Sequence, residues 1–220
     1  MRYINKGGEM LKYKYIIWDW NGTLLNDIGA SLASVNDMLA MRGREPIDIN
    51  YYKECIGVPI IRFYEKVFDM ENEDYNKIIK QYNEGYLYHL KDIGLTDGAA
   101  EALEYFRKNG AKQIIVSSSN NEQLLMNAEK YGVSDFFDAI LGAGDYFAGS
   151  KIERAEVYLS ENGARNDEIL VIGDLQHDAE MADTLGADCI LLTTGHEHPE
   201  RLKSAGKPLI NDLAELVKMA

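Results

Sequence analysis

The chain is short of cysteine, short of basic charge and without any long apolar run, and each shortage removes a class of function. Its two cysteines, Cys55 and Cys189, lie far apart and fit neither a disulfide scaffold nor a zinc ligand set. Lysine plus arginine number 23 against 36 aspartate plus glutamate, a formal net charge of −13. A field of that sign repels phosphate backbones and anionic lipid, so neither nucleic acid nor a membrane surface is an expected partner. No window of about 18 uncharged apolar residues occurs, which excludes a spanning helix. Residues 1–11 carry no apolar signal core, and the expected compartment is the reducing cytoplasm. Internal repeats and low-complexity stretches are also missing. What remains is ordinary globular composition, 46% hydrophobic and 27% charged, over 220 residues. That is enough for one large domain, or one domain carrying a smaller insert.

The first structured run is Tyr13-Lys14-Tyr15-Ile16-Ile17-Trp18-Asp19-Trp20, stopped by Asn21-Gly22. Its β-branched and aromatic content predicts a buried strand ending in a turn. Behind Thr96-Asp97, residues Ala99, Ala102, Leu103 and Phe106 fall at helical spacing, and Gly110 ends that helix. Predicted strands follow at Gln113–Ser117, Phe137–Leu141, Ile169–Gly173 and Cys189–Leu192. Between them lie helices around Leu124–Ala128, Ile152–Leu159 and Ala179–Leu185. This alternation predicts an α/β fold, a doubly wound and mostly parallel Rossmann-like sheet. Residues 26–94 break the rhythm: Leu32, Val35 and Leu39 are helix-spaced, further helices are expected at Ile61–Phe68 and Asp74–Leu90, and no strand stands out. The expected organisation is a core of residues 1–25 and 95–220 with an all-helical cap inserted at 26–94.

Such a sheet binds ligands beyond the carboxyl ends of its strands, so the residues just after each strand carry the functional argument. The first strand ends in Asp19-Trp20-Asn21-Gly22-Thr23, and the second in Ser117-Ser118-Ser119-Asn120. Lys151 opens a helix after Gly149-Ser150, and the strand at 169–172 runs into Gly173-Asp174-Leu175-Gln176-His177-Asp178. Together these supply a nucleophilic carboxylate, further carboxylates for a hard cation, a hydroxyl and a lysine. They are the parts needed to receive a phosphoryl group with a divalent metal.

In that order, the motifs resemble the haloacid dehalogenase-like superfamily of phosphohydrolases. Cys55-Ile56-Gly57-Val58-Pro59 and Gly195 are similar to its phosphoglycolate phosphatase-like members. The resemblance implies that Asp19 is the nucleophile, forming an aspartyl-phosphate, and a ligand of Mg²⁺. It implies that Asn21 offers its backbone carbonyl to the metal, that Asp174 is a metal ligand, and that Asp178 is an outer-shell one. Ser117 and the amide of Ser118 would hold phosphate oxygens, and Lys151 would lie between Asp19 and the phosphate. The implied substrate is a small phosphorylated metabolite.

One position departs from the pattern. Where the family carries a second aspartate, two residues after the first, this chain has Asn21. An amide hydrogen-bonds but does not trade a proton near neutral pH. Three readings stay open: a leaving group that needs no proton, a slow phosphatase, or a site that binds phosphate without turnover. Asp-Trp-x-Gly-Thr is also similar to phosphonoacetaldehyde hydrolases, whose Schiff-base lysine would have to be supplied here by Lys53. Arg44, Lys53 and Arg62 are candidate readers of an anionic substrate group, with a solvated face as the default. His196-Glu197-His198 offers imidazoles without an evident third ligand, and reads as a polar loop. Oligomeric state is not legible.

Overall fold

The computed structural model describes residues 12–144 and 151–218; residues 1–11 and Gly149-Ser150 lie outside them. Its centre is a six-stranded sheet in the order β3-β2-β1-β4-β5-β6, with every neighbouring pair parallel. The strands are β1 (Tyr15–Trp18), β2 (Lys112–Asn120), β3 (Ala139–Ala143), β4 (Ile169–Gly173), β5 (Asp188–Leu192) and β6 (Leu209–Ile210). All residues of β1 and β4 are buried, as strands covered by helices on both faces must be.

The pleat of β1 sorts its side chains between two cores. Ile16 and Trp18 point to the face packed by α5 (Ala99–Lys108), α6 (Asn121–Lys130) and α10 (Ala214–Lys218). Tyr15 and Ile17 point to the face covered by α7 (Lys151–Glu161), α8 (Gln176–Leu185) and α9 (Pro199–Ser204). Trp18 meets Phe106 edge-on at 5.8 Å, and its Nε1 donates to Gln113 Oε1 at 3.0 Å. An aromatic pair of this kind adds about 0.5–1.5 kcal/mol beyond its burial.

β1 lies in the middle of the sheet; β2 and β3 follow to one side, and the chain then crosses over to build β4, β5 and β6 on the other. The switch falls between β1 and β4, whose register pairs Trp18 with Ile172. Asp19 and Asp174, each just past its strand, are thereby set side by side at a carboxyl edge.

The insert holds four helices, α1 (Ile28–Ala40), α2 (Ile49–Cys55), α3 (Ile61–Val67) and α4 (Tyr75–His89), and no strand. They close around Val35, Met38, Phe63, Tyr64, Val67 and Ile78, a core of their own. Asp48 and Asp74 cap α2 and α4 by accepting from the amides of Tyr51 and Lys77, contacts typically worth about 1 kcal/mol each. Gly85 lets α4 approach α1 closely, since a Cβ there would press on Ser34. Where the chain leaves and re-enters the sheet, Leu25 and Leu95 form an antiparallel bridge. Asn26 N–H donates to Gly94 O and Thr96 N–H to Leu24 O on either side of it.

The structure shifts several expected bounds. β1 is shorter than the 13–20 run because Trp20 O already accepts from the amides of Thr23, Leu24 and Leu25 in the turn that follows. β3 starts at Ala139 rather than Phe137, because Ser134–Phe136 forms a helical turn first. Helix α2, β6 and the two C-terminal helices were not anticipated. No helix among the described residues is long and apolar enough to cross a membrane, and both cysteines are free and buried.

Candidate active site

The turn after β1 is shaped by three constraints. Asp19 N–H donates to Ile172 O at 2.9 Å, so the strand pairing itself aims the side chain at the edge beside β4. Gly22 has φ +74°, and a Cβ there would overlap both the Asp174 carboxylate and the His196 ring. Thr23 Oγ1 then donates to Asp174 Oδ1 at 3.0 Å. On the facing loop Gly173 and Gly195 play the same steric part, leaving space for Asp178 and Asp174.

Asp19, Asp174 and Asp178 come together here, with ligand oxygens all within 4.8 Å of one another and all three side chains buried. Lys151, the first residue of α7, donates to Asp19 Oδ1 at 2.5 Å and to Asp178 Oδ1 at 2.6 Å. Asp178 Oδ2 also accepts from the amides of Asp174 and Leu175, fixing the start of α8. Asp174 Oδ2 takes the His196 amide at 2.6 Å. Burial pushes Asp19 up to about 6, opposed by the Lys151 charge and reinforced by Asp178. Burial likewise holds Asp174 well above the usual carboxylate range. It would depress Lys151, but Asp178 and Asp19 together raise it above the ordinary lysine value. Three buried carboxylates against one ammonium leave excess negative charge, and a hard divalent cation among oxygen ligands fits that donor set.

Ser117 lies 2% exposed in the last part of β2, where the register with β3 shifts between Val116 and Asn120. Its Oγ accepts from the Ser119 amide at 3.1 Å. Ser118, the next residue, is exposed. Of the strand-end residues singled out from the sequence, Asp19, Asp174 and Asp178 meet around Lys151, and Ser119 Oγ reaches Asn21.

Asn21 is fully engaged. Its Nδ2 donates to Asp27 Oδ2 and to Tyr86 Oη, both at 2.8 Å, and its Oδ1 accepts from Ser119 Oγ at 2.6 Å. Sequence reasoning missed these partners. It also read His196-Glu197-His198 as a polar loop, and here the structure corrects it: this is a loop, but His196 and Glu197 are 8% and 2% exposed. His196 Nε2 donates to Asp27 Oδ1 at 3.1 Å and its Nδ1 meets Tyr52 Oη at 3.0 Å. Glu197 accepts from the Gln176 amide and pairs with Arg201. Gly195 was the available signal, a residue with no side chain just before a buried imidazole. Among the cations of residues 26–94, Arg44 is taken up by Val67 O and Arg62 is exposed. Lys53 is half-buried and feels the Asp174 charge.

The Asp27–His196 pair makes stability depend on pH. Burial would raise Asp27, but the charge and hydrogen bond of His196, with Asn21 and Tyr86, hold it below the usual carboxylate range. Burial would lower His196, but Asp27 first, then Asp174 and Asp19, push it up to about 9. The carboxylate's share is present above about pH 4 and lost below it; the imidazolium's share is full below about pH 6.5 and lost as pH rises through 9. His196→Gln should therefore cost about 3 kcal/mol near pH 6 and progressively less toward pH 9. Urea unfolding of both proteins in chelator checks this, and a pH-independent difference would show that the pair is neutral.

A phosphoglycolate phosphatase of Cereibacter sphaeroides is 27% identical over 192 residues, covering 83% of this chain and 86% of its own. The pyrophosphatase PpaX of Halalkalibacterium halodurans is 23% identical over 166 residues, covering 71% and 76%. Among solved structures, a haloacid dehalogenase-like family hydrolase from Streptococcus pneumoniae superposes with TM-score 0.81 at 17% identity, covering 94% of this chain and 98% of that one. The family model described as haloacid dehalogenase-like hydrolase matches residues 16–192, from the first strand through the fifth, and the chain belongs to that family.

Proposed function

We infer that the protein is a Mg²⁺-dependent phosphatase of small phosphorylated metabolites, working through an aspartyl-phosphate on Asp19. The observation that carries this reading is the buried cluster of Asp19, Asp174 and Asp178 bridged by Lys151 at the switch point of the sheet. An Asp19 oxygen attacks phosphorus, the bond from phosphorus to the leaving oxygen breaks, and water then releases phosphate and regenerates the carboxylate. Lys151, Ser117 Oγ and the Ser118 amide hold the non-bridging oxygens. Asp19, the carbonyl of Asn21 and Asp174 would hold Mg²⁺, with Asp178 outside them. The ion supplies positive charge where nucleophile and substrate are both anionic. The helices of residues 26–94 act as a cap over this edge.

Asn21 shifts the expected chemistry toward leaving groups that need no proton, such as acyl phosphates and phosphoanhydrides. A pyrophosphatase among the relatives is in keeping with that shift. Purified protein should release phosphate from one or more of phosphoglycolate, pyrophosphate and acetyl phosphate when Mg²⁺ is added, and stop in EDTA. Release equal to that of Asp19→Ala on every substrate would leave a binding protein without turnover. Undiminished release in chelator would remove the metal from the account.

One observation favours a second reading. Burial holds the Lys53 ammonium below the ordinary lysine range, with Asp174 opposing, as an amine that forms a Schiff base with an aldehyde requires. Phosphonoacetaldehyde with borohydride should then leave a covalent adduct on Lys53, detectable by mass. An unmodified Lys53 after that treatment retires phosphonate cleavage.

A further inference from the structure

Asp27 is 1% exposed and accepts four hydrogen bonds on one carboxylate. Oδ1 takes the Gly22 amide at 2.7 Å and His196 Nε2 at 3.1 Å; Oδ2 takes Asn21 Nδ2 at 2.8 Å and Tyr86 Oη at 2.9 Å. The donors come from three parts of the fold. Asn21 and Gly22 belong to the turn after β1, His196 to the loop after β5, and Tyr86 to α4 of the insert. Tyr86 Oη accepts from Asn21 while donating to Asp27, so the three side chains form a closed triangle. Tyr52 of α2 reaches the same group through His196.

We propose that Asp27 and Tyr86 are positioning residues that fix the Asn21 side chain and make its placement depend on where the helical insert sits. With Ser119 on its oxygen and Asp27 and Tyr86 on its nitrogen, the Asn21 amide has one orientation and no spare donor. Asp27, which opens α1, lies within residues 26–94 with Tyr86 and Tyr52, so all three side chains travel with the insert. Moving the insert away from the sheet withdraws Asp27 and Tyr86 together from Asn21, and the turn that carries Asn21 and Gly22 loses its constraints. Closing it restores the triangle. Buried networks of this kind couple strongly because each member polarises and orders the others.

The kinetic arm of the test rests on the phosphatase reading; the spectroscopic arm does not. Tyr86→Phe removes the hydroxyl and keeps the ring that stacks on Tyr82 at 5.9 Å, so the helix core stays intact. It should lower kcat about 10-fold with little change in KM, and should have no further effect in an Asn21→Ala background. Independently, the Asn21 side-chain amide, assigned in ¹⁵N spectra by its loss in Asn21→Ala, should exchange slowly in the native protein. In Tyr86→Phe and Asp27→Asn it should exchange fast. Additive kinetic effects, or an amide signal unchanged by both substitutions, would overturn the proposal. If no substrate is turned over at all, the phosphatase reading fails while the amide measurement still decides this one.

Discussion

Asp19→Asn is expected to abolish turnover while the protein stays folded. The side chain's hydrogen-bond partner is Lys151, which donates to it at 2.5 Å. An amide oxygen at the same place still accepts that hydrogen bond, and Asp178 still balances the ammonium. What is lost is the nucleophile, and no neighbouring carboxylate among the described residues is free to replace it: Asp178 is spent on Lys151 and two backbone amides, Asp174 on Thr23 and His196. Removing a nucleophile of this kind typically lowers kcat by a factor on the order of 10⁴ or more. Phosphate release and thermal unfolding measured together check both halves. A variant as active as the native protein would show that Asp19 does not attack.

The second large effect concerns Asn21 and Asp27 as a pair. Asn21→Asp alone should lower activity on every substrate, because it sets a carboxylate where Asp27 now accepts from an amide at 2.8 Å. Two carboxylate oxygens at that separation cannot both stay ionised, and the turn will shift or one group will take up a proton. Exchanging the two, Asn21→Asp with Asp27→Asn, reverses the direction of the hydrogen bond and keeps it. The amide at 27 can still accept from Gly22 and His196 and donate to the new carboxylate, which gains the proton-transfer capacity that the amide lacked. Turnover of alkyl phosphate esters should then rise about 10²-fold over the native protein, the usual worth of general acid–base help. Acyl phosphates should change little, because their leaving group never needed the proton. Burst and steady-state kinetics separate the two half-reactions. A double variant that loses activity on esters as well would show that proton supply is not what limits the native site.

Much of this site was legible because buried parallel strands are continuous apolar runs, and the residues that end them are hard to misplace. Ile16-Ile17-Trp18 and Ile169-Leu170-Val171-Ile172 announce β1 and β4, and Asp19 and Asp174 follow directly. That residues 26–94 form helices was legible from a periodicity without strands. Helix α2 was not, since seven residues with polar and aromatic side chains give too short a pattern. Neither was β6, a strand of two residues. The partners of Asn21 were hidden for a different reason. Asp27 looks like a turn residue, Tyr86 like one aromatic in a tyrosine-rich helix, and Ser119 like one of three serines. Only the fold brings Asn21 together with Ser119, 98 positions away, and Asp27 together with His196, 169 away. No local pattern encodes such distances.

The bridge between Leu25 and Leu95 bears on how this architecture can change over time. Because the outgoing and returning strands of chain are hydrogen-bonded to each other at the sheet's edge, the sheet registers only that they meet there. What lies between them can lengthen, shorten or be exchanged at small entropic cost to the core, since loop closure depends only weakly on length. The same crossing makes the insert a cassette. The intervening helices can then change while the carboxylates, the lysine and the serine stay where the strands put them.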